Sequence, residues 1–347
     1  MLPDKLERYP RIPLAEYPTP LEPLPRLSEK LGRRVFVKRD DEIGPAMGGS
    51  KTRKLEYFFA EARALRVPRI VTFGGLQSNH ARLTAGVARQ LGFEPHLIYF
   101  DRRPASMEGN LLVNSLLGAE MHFIPIGGGG NARMTLETSN RLVRWLARLL
   151  VGQHYFIPVG GHSWLGGLGY VRAAVEIERQ ARELGIENAW LVLAAGTGGT
   201  LAGLLAGLTL IKSNLRPLAI DVGRLWKKFP ASIARMATRI CFKIGQAHSF
   251  TPEQIPILEG EYVGAGYALP TRECADAIIR LAHLEGLVLD PVYTGKAFAG
   301  LLDLMEKGEL GSDEPVIFLH TGGTPGLFPS GQNLLETNLG PTSVNPA

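Results

Sequence analysis

The residues most suited to covalent chemistry lie between positions 48 and 57, where two glycines and Ser50 precede a helical pattern that opens with Lys51. The N-terminus of a helix carries partial positive charge and unpaired N–H groups, and these disfavour the ammonium form of a nearby lysine. A lysine that forms a Schiff base gains from that effect. The alternative is that Ser50 caps the helix and that Lys51 and Lys54 are solvated. Lys51 is therefore a candidate nucleophile that needs support from other motifs.

A candidate anion site lies at residues 194–200, which follow an apolar strand pattern and open a helical one. Its glycines allow backbone N–H groups to approach a phosphate, and Thr197 and Thr200 add hydroxyl donors. The loop lacks the Gly-Lys-Ser/Thr ending of nucleoside-triphosphate loops, and it does not match the dinucleotide fingerprint with its acidic partner. A single glycine turn of this kind is, in isolation, typical of an ordinary connection between a strand and a helix.

A third polar loop, residues 74–80, places amide, hydroxyl and imidazole groups next to one another. Ser78 or Asn79 alone would predict a helix N-cap. Gln77, Ser78 and Asn79 together indicate a site for a carboxylate and a ring hydroxyl. For His80 a structural role is favoured. Two further loops follow strand patterns, residues 289–296 with Tyr293 and Thr294, and residues 320–325.

The elements that must position these loops alternate along the chain between strand and helix patterns. Strands are predicted at 34–39, 69–73, 96–100, 121–125, 155–159, 190–194, 218–222, 287–289 and 316–320. Helices are predicted at 55–66, 79–91, 110–117, after the glycine run 127–130 to about 150, and at 169–184, 200–211, 233–242, 271–285 and 294–307. This alternation predicts an α/β fold with parallel sheets, helices on both faces and ligand sites beyond the carboxyl ends of the strands.

Three segments do not follow the alternation. Seven prolines within residues 3–26 predict an extended arm laid over a domain surface. Residues 223–261 show one helix and no other clear pattern, and the tail after residue 328 is expected to be irregular.

Composition describes a soluble globular protein, because 45% of the 347 residues are hydrophobic and 20% are charged. The length predicts two domains. The net charge of +5 is modest and dispersed, which argues against nucleic-acid binding but allows steering of an anionic metabolite. Cys241 and Cys274 have no metal-ligand spacing, so neither a disulfide framework nor a metal site is expected. Without an apolar stretch of membrane-spanning length, the chain is expected to be cytoplasmic.

Six motifs, in this order, resemble the D-cysteine desulfhydrase and 1-aminocyclopropane-1-carboxylate deaminase family; they lie at residues 48–57, 75–80, 196–200, 266–270, 289–296 and 320–323. The resemblance spans about residues 8 to 328. It implies pyridoxal 5'-phosphate as cofactor, a homodimer, and the tryptophan-synthase-β-like fold (fold type II) of two open parallel twisted sheets flanked by helices. It also implies a large domain of residues 1–53 and 162–347, a small inserted domain of residues 54–161, and the cofactor in the cleft between them.

The same resemblance assigns roles within the site. Lys51 would hold the cofactor and Lys54 would lie near its phosphate. The residues that would receive the phosphate are Gly196, Thr197, Gly198, Gly199 and Thr200. Asn79 would meet the ring hydroxyl, Ser78 the substrate carboxylate or the reacting carbon, and Thr294 the pyridine nitrogen. The residues on the substrate side would include Gln77, Tyr267 and Tyr293, and catalysis would fall to Lys51, Ser78 and the two tyrosines.

Two departures from the family pattern qualify this assignment. Ser50 stands where the family usually has asparagine, and His162-Ser163-Trp164 replaces the usual serine-asparagine after the paired glycines. The second departure is expected to affect the substrate pocket more than the cofactor.

The resemblance implies β-elimination from D-cysteine to pyruvate, hydrogen sulfide and ammonia. Thr294 favours this reaction, because a hydroxyl beside the ring nitrogen makes a weaker electron sink than a carboxylate, and thiolate leaves readily. The resembling deaminases have glutamate at this position and leucine in place of Thr321. The alternatives are ring opening of 1-aminocyclopropane-1-carboxylate to 2-oxobutanoate and ammonia, elimination from L-cysteate, and a cofactor-binding homologue without turnover. A nicotinamide-dependent oxidoreductase is disfavoured by the missing fingerprint.

Overall fold

The computed structural model describes residues 4–125, 134–311 and 313–331 and contains two β-sheets surrounded by helices. The strands are β1 Leu21–Pro23, β2 Val35–Arg39, β3 Arg69–Gly74, β4 Glu94–Tyr99, β5 Glu120–Phe123, β6 Tyr155–Phe156, β7 Ala189–Ala195, β8 Leu215–Asp221, β9 Ile257–Leu258 and β10 Val316–His320. The helices are α1 Asp4–Glu7, α2 Pro25–Leu31, α3 Thr52–Ala64, α4 Asn79–Gln90, α5 Asn110–Leu116, α6 Leu136–Val151, α7 Trp164–Glu183, α8 Gly199–Ile211, α9 Phe229–Lys243, α10 Arg272–Glu285 and α11 Thr294–Glu306. The predicted α/β class is confirmed.

The larger sheet has six strands in the order β1-β2-β10-β7-β8-β9. All neighbours are parallel except β1, which pairs antiparallel with β2. Every residue of the central strand β10 is buried, as a continuous apolar run in a parallel sheet predicts. The proline-rich arm contributes β1 at the edge of this sheet, a position where the missing N–H of proline costs no interior ladder bond.

The smaller sheet has four parallel strands in the order β5-β4-β3-β6. These strands all lie within residues 54–161, the segment expected to form the small domain, and the strands of the larger sheet all lie outside it. The exact domain boundaries stay a prediction.

Helix α7 begins at Trp164 and not at residue 169 as the sequence pattern suggested. Ser163 caps it by accepting a hydrogen bond from the N–H of Gly166 at 3.2 Å. The early glycines of this helix are needed for close packing, since a Cβ on Gly166 would lie 2.8 Å from the ring of Phe58 in α3. These glycines therefore form a contact surface between helices.

Two other predictions differ from the structure. The strand predicted at 287–289 is wrong: the segment forms no strand, because it spans only three residues between the left-handed Gly286 and a turn built on Asp290. The strand predicted at 155–159 ends at Phe156 and is followed by a 3₁₀ turn, Val159–Gly161. The glycine run 127–130 and the tail from residue 332 lie outside the described residues.

The unassigned segment 223–261 contains helix α9 and the short edge strand β9. Both cysteines are buried and neither is in a disulfide. Among the described helices, none combines the length and the apolar character needed to cross a membrane.

Candidate active site

A cavity of about 320 Å³ lies where loops at the carboxyl ends of strands from both sheets meet. This volume is within the range of small-molecule sites. The loops that line it follow β3, β4, β7 and β10. The residues proposed from the sequence that line it are Lys51, Lys54, Ser78, Asn79, Gly196, Thr197, Gly198, Thr200, Tyr267 and Tyr293. The structure therefore brings together residues that are up to 242 positions apart, from Lys51 to Tyr293.

Lys51 immediately precedes α3, and its Nζ lies 3.3 Å from the Ser50 hydroxyl. Burial lowers the pKa of Lys51 to about 8; Asp290 opposes this shift and Arg82 adds to it. The amine is therefore partly neutral close to neutral pH. Ser50 makes no side-chain cap; Lys54 is buried and Lys51 is half-buried at the cavity, so neither is a fully solvated surface residue. From the sequence, the low pKa of Lys51 is expected to arise from the helix terminus. In the structure, its main cause is burial.

The first turn of α3 is held by a buried ionic cluster. Arg53 donates to the Asp40 carboxylate at 2.7 and 2.8 Å and to Glu176 of α7 at 2.9 Å. The Tyr170 hydroxyl donates to the same Asp40 at 2.8 Å. Because Asp40 directly follows β2 and the other two partners lie on α7, the cluster fixes the helix that presents Lys51.

Lys54 is 1% exposed, and its Nζ donates to the carbonyl oxygen of Gly160 at 3.2 Å. Its pKa is lowered well below the usual value by burial and then by the charge of Lys51. Within the described part of the chain, Lys54 forms no salt bridge with a carboxylate. A buried amine of this kind is stabilised by an anionic ligand.

Helix α8 offers the matching anion site. It begins at Gly199 without a side-chain cap, so its first N–H groups remain available to a ligand. A Cβ on Gly199 would lie 3.1 Å from the Nζ of Lys54 and 3.5 Å from the Nδ1 of His162. We refer to the space bounded by Gly199, Lys54 and His162 as the anion cradle. Gly198 has a different role: its φ is +71° and a Cβ there would lie 2.4 Å from Ile233, so packing requires this glycine.

His162 is buried at the anion cradle, close to the backbone of Thr197, and within the described residues its Nδ1 makes no side-chain hydrogen bond. Its Nε2 lies 3.4 Å from the hydroxyl of Ser232, which donates to Glu137 at 2.8 Å. At residues 162–164, which differ from the family pattern, the structure places His162 at the anion cradle and not among the residues that line the cavity. Ser163 caps α7, and Trp164 packs against Tyr9.

We expect His162 to make the protein sensitive to acid. Burial and then Lys54 lower its pKa from 6.5 to about 4, so the folded state binds fewer protons than the unfolded chain between these values. The free energy of unfolding should therefore fall as the pH drops from 6.5 to 4, with a contribution from His162 of about 3 kcal/mol. His162→Gln should lose less stability over this window than the wild type when urea unfolding of cofactor-free protein is compared at pH 7 and pH 4.5.

The matched control for this measurement is His283→Gln, since His283 is exposed. It should follow the wild-type pH dependence. Equal pH dependence in His162→Gln and the wild type would show that the pKa of His162 is the same in the folded and unfolded states.

The loop after β3 divides its side chains between the cavity and the scaffold. Ser78 caps α4 by accepting from the N–H of Ala81 at 3.2 Å and also lines the cavity, which leaves its hydroxyl hydrogen free for a ligand. Asn79 lines the cavity and accepts from Asn110 at 3.1 Å. Gln77 is not among the lining residues; its amide oxygen accepts from the N–H of Asn110 at 2.9 Å. Its substrate contact stays a prediction.

His80 is bound to the scaffold through one nitrogen. Its Nε2 lies 2.9 Å from the hydroxyl of Thr72, which donates to the carbonyl oxygen of Ile157 at 2.9 Å. Nδ1 has no partner, and burial, followed by Lys51 and Lys54, keeps the pKa of His80 well below its usual value. The residue is neutral, and because it also lines the cavity, the structural role expected for it stays a prediction.

Tyr267 and Tyr293 are hydrogen-bonded to each other through their hydroxyl groups, with ring centroids 5.9 Å apart. Burial raises the pKa of Tyr267 to about 12, and burial together with Tyr267 raises that of Tyr293. Both hydroxyls are therefore protonated at neutral pH. Only one of their two hydrogens is used between them, so the pair keeps one proton to donate into the cavity.

Thr294 is fully buried behind Tyr293 and is not among the lining residues. Its hydroxyl donates to Asp290 at 2.7 Å and accepts from the N–H of Asp290 at 2.9 Å. The Asp290 carboxylate also accepts the N–H groups of residues 292, 293 and 294, each at 2.9 Å. The carboxylate nearest to Thr294, that of Asp290, is thus hydrogen-bonded within the turn that contains both residues. Contact between Thr294 and a pyridine nitrogen stays a prediction.

Sequence reasoning gave no role to three residues that shape this site. Asp290 organises the turn at 292–294, a role that the Asp-Pro pair could have signalled. Arg82 donates to the carbonyl oxygen of Gly48 at 3.0 Å and to Asn110 at 2.7 Å, which fixes the glycine turn before Lys51. Trp226 donates to the carbonyl oxygen of Gly196 at 2.8 Å. It lies in the segment without a clear pattern, so no local signal could have shown this contact.

Comparison with known proteins shows which family this architecture belongs to. The family model described as "Pyridoxal-phosphate dependent enzyme" matches residues 12–322. The chain is 37% identical over 331 residues to a putative 1-aminocyclopropane-1-carboxylate deaminase of Pyrococcus furiosus, covering 95% of this chain and 97% of the relative. It is also 37% identical over 334 residues to a D-cysteine desulfhydrase of Salmonella typhi, covering 93% and 97% respectively.

Solved structures agree with the sequence comparison. A crystal structure of an ACC deaminase homologue superposes with a TM-score of 0.83 at 36% identity and covers 96% of this chain and 98% of that one. Threonine deaminase isoform 2 from Solanum lycopersicum has a TM-score of 0.62 at 18% identity, with coverage of 96% and 86%, which supports the fold alone.

Proposed function

Because this chain belongs to the pyridoxal-phosphate dependent enzyme family, we propose that it is a β-elimination lyase that converts D-cysteine and water to pyruvate, hydrogen sulfide and ammonia. The coarser statement, a pyridoxal-phosphate-dependent lyase of the 1-aminocyclopropane-1-carboxylate deaminase and D-cysteine desulfhydrase family, follows from the relatives with both names. The choice between these two activities depends on the residues of the site.

The residues of the cavity fit the cofactor. Among the described residues, Lys54 is a buried amine without a carboxylate partner, the Nδ1 of His162 beside it makes no side-chain hydrogen bond, and the uncapped start of α8 adds backbone donors. These three features would hold the phosphate in the anion cradle. Lys51 would form the covalent attachment, and Asn79 would hold the ring hydroxyl.

Pyridoxal phosphate, when bound, supplies an aldehyde that links to amines and a ring that withdraws electrons from the α-carbon of an amino acid. Lys51 would remove the proton from that carbon, a task that suits an amine whose pKa is about 8. The Ser78 hydroxyl and the N-terminus of α4 would hold the substrate carboxylate. The hydrogen that the Tyr267 and Tyr293 pair does not use internally would go to the departing sulfur.

The hydrogen bonding of Thr294 to Asp290 is the observation that favours D-cysteine as the substrate. The residue is uncharged, and the adjacent Asp290 carboxylate is already bonded to four donors of its own turn. A ring nitrogen beside Thr294 would thus have no direct anionic partner, and the ring would be a weak electron sink. A thiolate is a good leaving group and needs no stronger sink, whereas the carbon of a cyclopropane ring leaves poorly.

We expect the purified protein to release sulfide and pyruvate from D-cysteine and to open 1-aminocyclopropane-1-carboxylate at a much lower rate. In Thr294→Glu a carboxylate replaces the uncharged hydroxyl, which should strengthen the electron sink that bound pyridoxal phosphate would supply and change the absorbance of the loaded protein in the presence of D-cysteine. The measurements are sulfide and keto-acid assays with a panel of D- and L-amino acids, including L-cysteate, and absorbance spectra of both proteins.

Ring opening by the wild type at a rate comparable to its rate with D-cysteine would favour the deaminase function. Turnover of L-cysteate alone would make the protein a sulfo-lyase. A yellow protein that converts none of the panel would be a cofactor-binding homologue without turnover. The homodimer and the cytoplasmic location remain predictions, the first of which sedimentation or light scattering can test.

A further inference from the structure

We propose that His96, Glu120 and His122 form a binding site for a divalent transition-metal ion of the zinc class. The three residues lie on the four-stranded sheet, and none of them lines the cavity that holds the candidate active site. The proposal is therefore independent of the activity of that site. We refer to the three residues as the histidine cluster.

The strand register brings the histidine cluster together. His96 is on β4, and Glu120 and His122 are on β5, the edge strand next to it. The parallel pairing places His96 opposite Glu120 and Ile98 opposite His122. Residues two apart on a strand share a face, so Glu120 and His122 project to the same side of the sheet. The backbone thus holds all three side chains without the help of a loop.

The two ring nitrogens are separated by the distance expected around a tetrahedral metal ion, and each of them lies at a similar distance from one of the two carboxylate oxygens of Glu120. Nδ1 of His96 lies 3.3 Å from Nε2 of His122 and 3.3 Å from Oε2 of Glu120, and Nε2 of His122 lies 3.6 Å from Oε1 of Glu120. Zinc bonds to nitrogen and oxygen of about 2.0–2.2 Å, arranged tetrahedrally, place neighbouring ligand atoms about 3.3–3.6 Å apart.

Hydrogen bonding cannot satisfy all three of these contacts at once. A carboxylate only accepts, so each ring nitrogen must carry a hydrogen to bond to Glu120. Two protonated nitrogens of His96 and His122 would then point hydrogens at each other across 3.3 Å. If only one nitrogen carries a hydrogen, the lone pair of the other faces the carboxylate. A cation between the two ring nitrogens and the carboxylate of Glu120 would be attracted by each of these three groups.

The surroundings of the histidine cluster suit a metal that enters from solvent. The side chain of Glu120 is 63% exposed, which leaves a path for the ion and room for a water ligand, whereas His96 is 7% exposed. The second nitrogen of His96, Nε2, lies 4.0 Å from the carboxylate of Glu94, which accepts from Arg69 at 3.0 Å. A carboxylate near the non-ligating nitrogen of a histidine is a common second partner in zinc sites.

The test is calorimetric titration of the cofactor-loaded protein with Zn²⁺ in a buffer free of amines, together with thermal unfolding. We expect one ion per chain and a higher Tm with Zn²⁺, reversed by a chelator, because a ligand that binds only the folded state stabilises it. His122→Gln and Glu120→Gln should each weaken binding at least about tenfold, which is the lower bound known for partners that only orient a ligand.

The control variant is His283→Gln, which changes an exposed histidine outside the histidine cluster and should bind Zn²⁺ as the wild type does. Equal cofactor absorbance in all variants would establish that they are folded. Absence of binding by the wild type would overturn the proposal, and so would binding that His122→Gln and Glu120→Gln leave unchanged. In the first case the cluster would be a set of polar surface contacts, and in the second the ion would bind elsewhere.

Discussion

Lys51→Ala should lower turnover by about 10²–10⁴-fold, the effect typical of a general acid or base, and should abolish covalent attachment of the cofactor. The physical reason is that burial lowers the pKa of Lys51 to about 8, so a fraction of this cavity lysine is a neutral amine near pH 7. Borohydride reduction of the wild-type protein followed by peptide mapping should find the pyridoxyl group on Lys51. An external amine should partly restore turnover to the variant.

A control for this experiment is Lys30→Ala, because Lys30 is exposed in the last turn of α2. It should retain full activity and full labelling. Pyridoxyl label on Lys54 in the wild-type protein, or near-normal turnover by Lys51→Ala, would show that the assignment of the two lysines is wrong.

Lys54→Met should weaken cofactor binding by about 10- to 150-fold, which corresponds to the loss of a charged hydrogen bond worth about 1.5–3 kcal/mol. Lys54 supplies the amine of the anion cradle; an anionic ligand would favour its protonated form, and no carboxylate does so within the described residues. Equilibrium dialysis or fluorescence titration of cofactor-free protein measures the change. Reduction at saturating cofactor should still label Lys51.

The same variant separates a binding defect from a folding defect. Methionine fills a similar volume without a buried amine, so the cofactor-free variant should be at least as stable in urea as the wild type. An unchanged cofactor affinity would mean that the phosphate does not lie in the anion cradle, whereas loss of stability together with affinity would mean that Lys54 supports the fold.

Strand and helix patterns were sufficient to predict the α/β class, most strands and the loops that line the cavity, because each depends on local periodicity and on glycine placement. Residues 69–73 and 316–320 illustrate this, since both segments are mostly apolar and form interior strands of their sheets. The start of α7 was misplaced because its glycines are determined by contact with α3, a partner that is far away in the sequence. The strand at 287–289 was wrong because an apolar triplet shows that a segment is buried and does not show that it is paired.

The roles within the site divide in the same way. The sequence by itself determined that Lys51 follows a glycine turn, that residues 196–200 form a glycine loop and that their motifs resemble one cofactor family. Only the tertiary structure decided that burial is the main cause of the low pKa of Lys51, that His162 lies beside Gly199 and Lys54, and that His96 meets residues of the next strand. The physical reason is that burial, charge coupling and strand register depend on segments that meet only after folding, and no local pattern specifies their distances.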